Sequence, residues 1–285
     1  MIPWTGDSIS RRRGLDRRET LRTLGMAGLG TGIAALMGRA GRAAAAAPVE
    51  PAAKSGMRHR SYSGIISYIT DGIGDQGREF FTVTVQPDGT RTLRAQVEMD
   101  NIRLLRDVVL TVDKDFHPID AFVRLVKEEK FLGCTWYKFT EHTAICEGYT
   151  DIEGRISQSF ESAERINLFT CHPINCDAWL WAAVRNNKDY NPYPWFNSSP
   201  RPNGDTGPTL LRMEEGHAVI AKVGIEKITT PAGAFEALHY QLGGHDSATP
   251  PLNTWVLGED CVPVRLRSEG HRQTYELVEL RGDPR

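Results

Sequence analysis

The chain lacks the residue patterns that mark the best-defined enzyme classes. It has no Gly-x-Ser-x-Gly elbow, phosphate-binding loop, dinucleotide glycine fingerprint or His-Glu-x-x-His helix. Serine hydrolases, nucleotide enzymes and zincins therefore have no anchoring residues here. Cysteine is scarce: five in 285 residues is far below the density of a disulfide scaffold. No apolar run reaches the roughly 20 residues of a membrane helix. Positive charge is also thin outside the N-terminus. Residues 1–47 hold eight arginines and three acids of the chain's 34 basic and 36 acidic side chains, leaving 26 against 33, a net charge of −7. Such an acidic surface argues against nucleic acid and anionic lipid as partners.

What the N-terminus does contain reads as an address. A basic region, a Gly- and Ala-rich apolar stretch from Leu24 to Met37 and a small-residue zone at Ala43 to Ala47 follow in order, the layout of a cleaved signal. Asp16-Arg17-Arg18-Glu19-Thr20-Leu21-Arg22 resembles the twin-arginine export consensus, with Thr20 in place of its Phe and Arg22 in place of its Lys. Residues 1–47 are expected to be a twin-arginine signal peptide, 48–60 a linker and 61–280 one domain. The resemblance implies the twin-arginine export machinery as a partner and a soluble periplasmic product.

The rest reads as antiparallel β. "REFFTVTVQPDGTRTLRAQVEM" is a hairpin with Asp-Gly turn chemistry. Further turns are expected near Lys114-Asp115, Glu128-Glu129, Glu141-His142 and Glu153-Gly154. Short alternating runs at this spacing predict a barrel or strongly curved sheet. The pattern breaks at 161–208, where Asp177 to Arg185 has helical character and a Pro- and Asn-rich stretch follows. This insertion is expected to cover one end.

"KITTPAGAFEALHYQL", "TWVLGEDCVPVRLRSEG" and "YELVEL" resemble a family of bacterial periplasmic proteins known only as a domain of unknown function, over roughly residues 215 to 280. The resemblance implies an all-β, lipocalin-like fold around an apolar interior, and export. It implies no catalytic residues.

"CHPINCDAWLW", residues 171 to 181, concentrates reactive side chains. Cys171 and Cys176 are separated by four residues in β surroundings, the wrong spacing and setting for a redox motif. Cys171, His172, Cys176 and Asp177 are too close in sequence to wrap one tetrahedral ion, so no metal is expected. Two readings stay open: a pocket wall with His172 and Asp177 as a proton-transfer pair and Trp179 as an apolar face, or a helix capped by Asp177 with Trp179 and Trp181 in the core. A neighbouring carboxylate would make His172 hold its proton more tightly.

Strand periodicity supplies the other candidates. Asp100, Arg106, Asp107, Asp120 and Arg124 are charges inside apolar segments. Asp120, Phe122 and Arg124 share one strand face, which either lines a cavity or is a solvated surface. Trp136 lies opposite Tyr137, and His239 opposite Tyr240. Cys134 and Cys146 can face each other across a hairpin, Cys171 and Cys176 can close a small loop, and Cys261 is the odd one out.

The expectation is thus a lipocalin-like antiparallel barrel or curved sheet with a helix-and-loop insertion. Its function is expected to be a cofactor-free lyase, dehydratase or isomerase step on a small hydrophobic molecule (terpenoid, steroid or phenolic). His172, Asp177, Asp120, Arg124 and His239 would be catalytic, and Trp179, Trp136, Tyr137 and Tyr240 would bind substrate. The alternative is a non-catalytic carrier of such a ligand. Convergence of the five polar residues on one cavity would favour the enzyme; scatter would favour the carrier.

Overall fold

The computed structural model describes residues 59–182, 195–198, 211–214, 219–243 and 250–285. The expected signal peptide and nearly all of the linker lie outside them. Two meanders build one 13-stranded antiparallel sheet. The first runs β1 (Arg60–Thr70), β2 (Gly74–Val85), β3 (Arg91–Met99), β4 (Leu104–Val112), β5 (Pro118–Lys127), β6 (Lys130–Phe139), β7 (Thr143–Thr150) and β8 (Gly154–Glu161). Between them fall β9 (Phe169–Thr170), α1 (Ile174–Ala178), β10 (Trp195–Ser198) and β11 (Leu211–Glu214). The second meander is β12 (Val219–Thr230), β13 (Gly233–Gly243), β14 (Leu252–Leu257), β15 (Val262–Ser268) and β16 (Gln273–Gly282). Pairing of β1 with β16 joins the two, so both termini of the sheet's chain lie mid-sheet and β8 and β12 form its edges.

Period-two alternation creates the elements. In β4, Leu104, Arg106, Val108, Leu110 and Val112 are buried while the residues between them are half-buried. The turns follow the local chemistry. Gly89 takes φ 90° in the β2–β3 loop, where a side chain would be strained. Glu128 and Glu129 form the two-residue β5–β6 turn with φ 51° and 61°, the geometry that matches strand twist even without glycine. Pro231 and Ala232 turn β12 into β13, and Ala232 N donates to Thr230 Oγ1 at 3.2 Å.

Curvature is visible in the core. Val83 of β2, Phe139 of β6, Tyr240 of β13 and Val256 of β14 belong to one buried apolar cluster with Phe169, Trp181 and Phe196. The sheet therefore curls around the inserted segment, whose β9, β10 and β11 form a second, three-stranded sheet. Phe169 lies 4.9 Å from both Tyr137 and Phe139, and Trp181 stacks on Tyr240 at 5.0 Å. The insertion was expected to act as a cover; its described part is interior packing instead. Ile174, Cys176, Trp179 and Trp181 are all buried, because an all-β shell this wide needs apolar volume inside.

Two other expectations fail on strand geometry. Cys134 pairs in register with Tyr149 and Cys146 with Tyr137. Cys146 points inward and Cys134 does not, so the two sulfurs occupy opposite faces and cannot bridge. Helix α1 starts at Ile174, three residues before Asp177, because His172 at φ 78° and Pro173 at φ −57° reverse the chain there. No described helix is long and apolar enough to cross a membrane.

Candidate functional site

Row by row, the sheet sorts the polar candidates onto its two faces. On the inner face Glu79, Val97 and Arg106 stand side by side on β2, β3 and β4. Glu79 is fully buried. Its carboxylate accepts from Tyr68 OH at 2.9 Å, Ile174 N at 2.6 Å and Asn175 Nδ2 at 2.8 Å. It thereby satisfies the start of α1, the role expected of Asp177, while Pro173 at the cap position offers no side-chain bond. Burial raises the Glu79 proton affinity, outweighing these hydrogen bonds, which act the other way.

Asp177 sits inside α1 and not at its cap. Its carboxylate accepts from Cys176 Sγ at 3.6 Å. Burial pushes its pKa up to about 7; the Cys176 bond opposes this, the Glu79 charge adds to it and the Arg106 charge opposes it. His172 Nε2 donates to the Ser198 carbonyl at 2.9 Å, fastening the turn before α1 to β10. Burial of its ring and the Arg106 cation lower its proton affinity, although part of the residue stays exposed. The expected tightening of its proton by Asp177 is thus reversed: Arg106 is the charge His172 feels. Cys171 and Cys176 are thiols with their sulfurs 3.7 Å apart.

Arg106 was noted from sequence as a charge inside an apolar strand but was given no role at a site. It keeps 7% of its surface, and its Nε has no hydrogen-bond partner. Burial lowers its proton affinity, and Tyr68, Cys171, Cys176 and Asp177 provide the opposing influence. An arginine remains charged under such conditions. The available signal was the alternation of "LLRDVVLTV", which puts Arg106 in phase with Leu104 and Val108. Glu79 was legible in the same way from "REFFTVTV".

The remaining candidates do not join this cluster. Asp120 and Arg124 lie on the outer face, with Arg124 Nη1 3.1 Å from Asp107 Oδ2. His239 is buried but points away from Tyr240. Glu226 Oε1 at 3.0 Å and Asn253 Oδ1 at 2.9 Å occupy both its ring nitrogens, and Trp255 stacks on it at 4.3 Å. Trp179 packs edge-on against Phe116 at 5.8 Å in the core. Tyr137 is buried, accepting from Thr135 Oγ1 at 2.6 Å and donating to Ser198 Oγ at 3.0 Å. Trp136 is 44% exposed on the outer face. Asp113, Asp115 and His117 place ligating atoms within 4.8 Å of one another, but Asp113 Oδ1 already accepts the Asp115 and His117 amides of its turn.

The outer face holds a recess of about 540 Å³ across β1 to β5 and β16. Ile65, Phe80, Val109 and Phe122 give it an apolar floor, with Arg94 and Asp107 among its polar groups. Register sets Phe122 beside Trp136, so the aromatic surface continues onto β6. This recess lies on the side of the sheet opposite Arg106 and α1.

No family model matches the chain, and no curated protein matches it. Among solved structures the chain is similar to a beta-barrel-like protein of domain of unknown function DUF1849 from Brucella abortus. The likeness has 12% sequence identity and a TM-score of 0.45, covering 79% of this chain and 98% of that chain.

Proposed function

We propose that the protein is an exported binding or carrier protein for a small hydrophobic ligand, held in the groove on the outer face of the sheet. The supporting observation is that groove: about 540 Å³ is the size of a small-molecule site. Phe80 and Phe122 each keep 37% of their surface there, apolar area that a monomer normally covers. The five polar residues expected to catalyse are scattered. His172 and Asp177 are inside, Asp120 and Arg124 outside, and His239 has both nitrogens occupied, so no proton relay links them. Scatter favours the carrier over the lyase or isomerase. The export signal around Arg17 and Arg18 would deliver the carrier to the periplasm.

Titration with the neutral fluorophore N-phenyl-1-naphthylamine tests the reading. Saturable one-to-one binding is expected, weakened roughly tenfold or more by Phe80→Ser or Phe122→Ser through lost apolar contact. Absence of saturable binding, or binding untouched by both variants, overturns it. Lys at both Arg17 and Arg18 should retain the folded chain in the cytoplasm; normal export of that variant removes the periplasmic part.

A further inference from the structure

Arg106 presents a second, separate puzzle on the other face of the sheet. Its guanidinium is buried, unpaired at Nε and without an ion pair among the described residues. The anions that could neutralise it are committed elsewhere or only partly charged. Glu79 stands two strands away on the same row, about 10 Å by strand spacing. Val97 stands between them, and the Glu79 oxygens are taken by Tyr68, Ile174 and Asn175. The cysteines are thiols: Cys171 Sγ donates to Cys176 Sγ at 3.7 Å, and the single Cys176 proton lies between the Pro173 carbonyl at 2.9 Å and Asp177 Oδ1 at 3.6 Å.

A cation left in this state is costly unless something completes it. We infer that Arg106 is the anchor of an anion-binding site between β4 and the segment 171–177, which takes a carboxylate monoanion. The charge balance selects the valence. One guanidinium supplies one positive charge, which a single negative charge neutralises, whereas a dianion would leave one negative charge uncompensated in a buried place. The planar fork of arginine matches a carboxylate with two parallel hydrogen bonds. The route in is on the His172 side, where that residue is exposed and Asp177 half-buried.

The test uses the full mature chain, with acetate and octanoate as probes and acetamide and octanol as neutral counterparts, at fixed ionic strength. Calorimetric titration and thermal shift in the Phe80→Ser background, where the outer groove is impaired, should show saturable binding of a carboxylate and none of its neutral counterpart. Octanoate binding at least about tenfold tighter than acetate would identify an apolar tail beside the head group; equal affinities would identify a small free acid. Arg106→Met should abolish binding, and Arg106→Lys should weaken it about tenfold by losing the fork. Phe80→Ser, in the outer groove, should leave it unchanged, which separates this site from the carrier site. No saturable carboxylate binding to the wild type overturns the proposal, as does binding that survives Arg106→Met. Binding seen only in Asp177→Asn overturns it too, since the cation would then already have a protein partner.

Discussion

Two buried charged clusters in this molecule are built on opposite terms. At the corner where the chain ends, Asp260 is fully buried and fully answered. Arg60 holds it with two hydrogen bonds of 2.5 and 2.7 Å, Arg91 Nε lies at 3.2 Å and the Arg285 amide donates at 2.8 Å. Burial alone would raise its pKa; Arg60, the Arg285 amide and Arg91 outweigh it and hold the carboxyl below the ordinary value. Around α1 the same ingredients, arginine and aspartate, do not meet. Arg106 is unpaired at Nε and burial holds Asp177 high. The corner ties β1, β3 and the β14–β15 turn to the C-terminus, which is a structural task. In the inner cluster Glu79 alone ties elements together, holding the start of α1 to β2, while Arg106 and Asp177 do not pair. Complete pairing marks architecture, and an unanswered charge marks a place for something else.

The largest effect should come from breaking the complete cluster. Asp260→Ala strands two arginines in a buried corner and should cost about 3–5 kcal/mol, the range for removing one partner of a buried pair. Arg106→Met should do the opposite and stabilise the protein by about 1 kcal/mol or more, since it removes a buried cation and leaves no partner behind. Urea unfolding of both variants checks the contrast. Equal destabilisation would mean that Arg106 is paired in solution and that the two clusters are alike.

A medium effect should appear as pH dependence. Asp177 has its folded pKa near 7 against an ordinary value of 3.8. Between these values the folded chain keeps a proton that the unfolded chain has released. The Asp177 contribution should therefore be highest at the low end of this window, fall as pH rises across it and be lost above 7, with a slope from this one group no steeper than about 1.4 kcal/mol per pH unit. Glu79, also raised, acts with the same sign. Asp177→Asn should flatten this slope, leaving the variant more stable than wild type at pH 8 and similar at pH 4. A variant less stable at pH 8 would mean that Asp177 is ionised against Arg106, as Asp260 is against Arg60.

The two clusters also differ in how they could be read from sequence. Local alternation sorted nearly every strand into two faces: Tyr137 opposite Trp136, Tyr240 opposite His239, and Asp120 with Arg124 on one face. The turns at Asp88-Gly89 and Glu128-Glu129 were equally plain. Alternation does not say which of two faces meets the core, so Asp120 and Arg124 could be read as cavity groups. It also carries no register, and the assumed Cys134–Cys146 pairing failed for that reason. Glu79 caps a helix 95 residues away, and Asp260 binds Arg60 across 200. Such contacts exist only once both meanders have closed on β1 and β16. The helix start was missed because His172 adopts a left-handed backbone that its residue type seldom takes.

The smallest effect should belong to an outer ion pair that contains Arg124, one of the residues expected from sequence to be catalytic. Arg124 and Asp107 meet at 3.1 Å with side chains 41% and 43% exposed. Water and salt screen such a pair, so a double-mutant cycle with Arg124→Ala and Asp107→Ala should give a coupling below about 1 kcal/mol, shrinking further in high salt. The single variants should still differ. Arg124 also lies 5.8 Å from the centre of the Phe131 ring, a contact worth roughly 0.5 kcal/mol at an exposed site. Arg124→Ala should thus cost slightly more than Asp107→Ala, and that excess should persist in salt while the coupling fades. A coupling of several kcal/mol, or loss of fluorophore binding with Arg124→Ala alone, would place this pair with Asp260 as a working charge and not with the solvated face of the sheet.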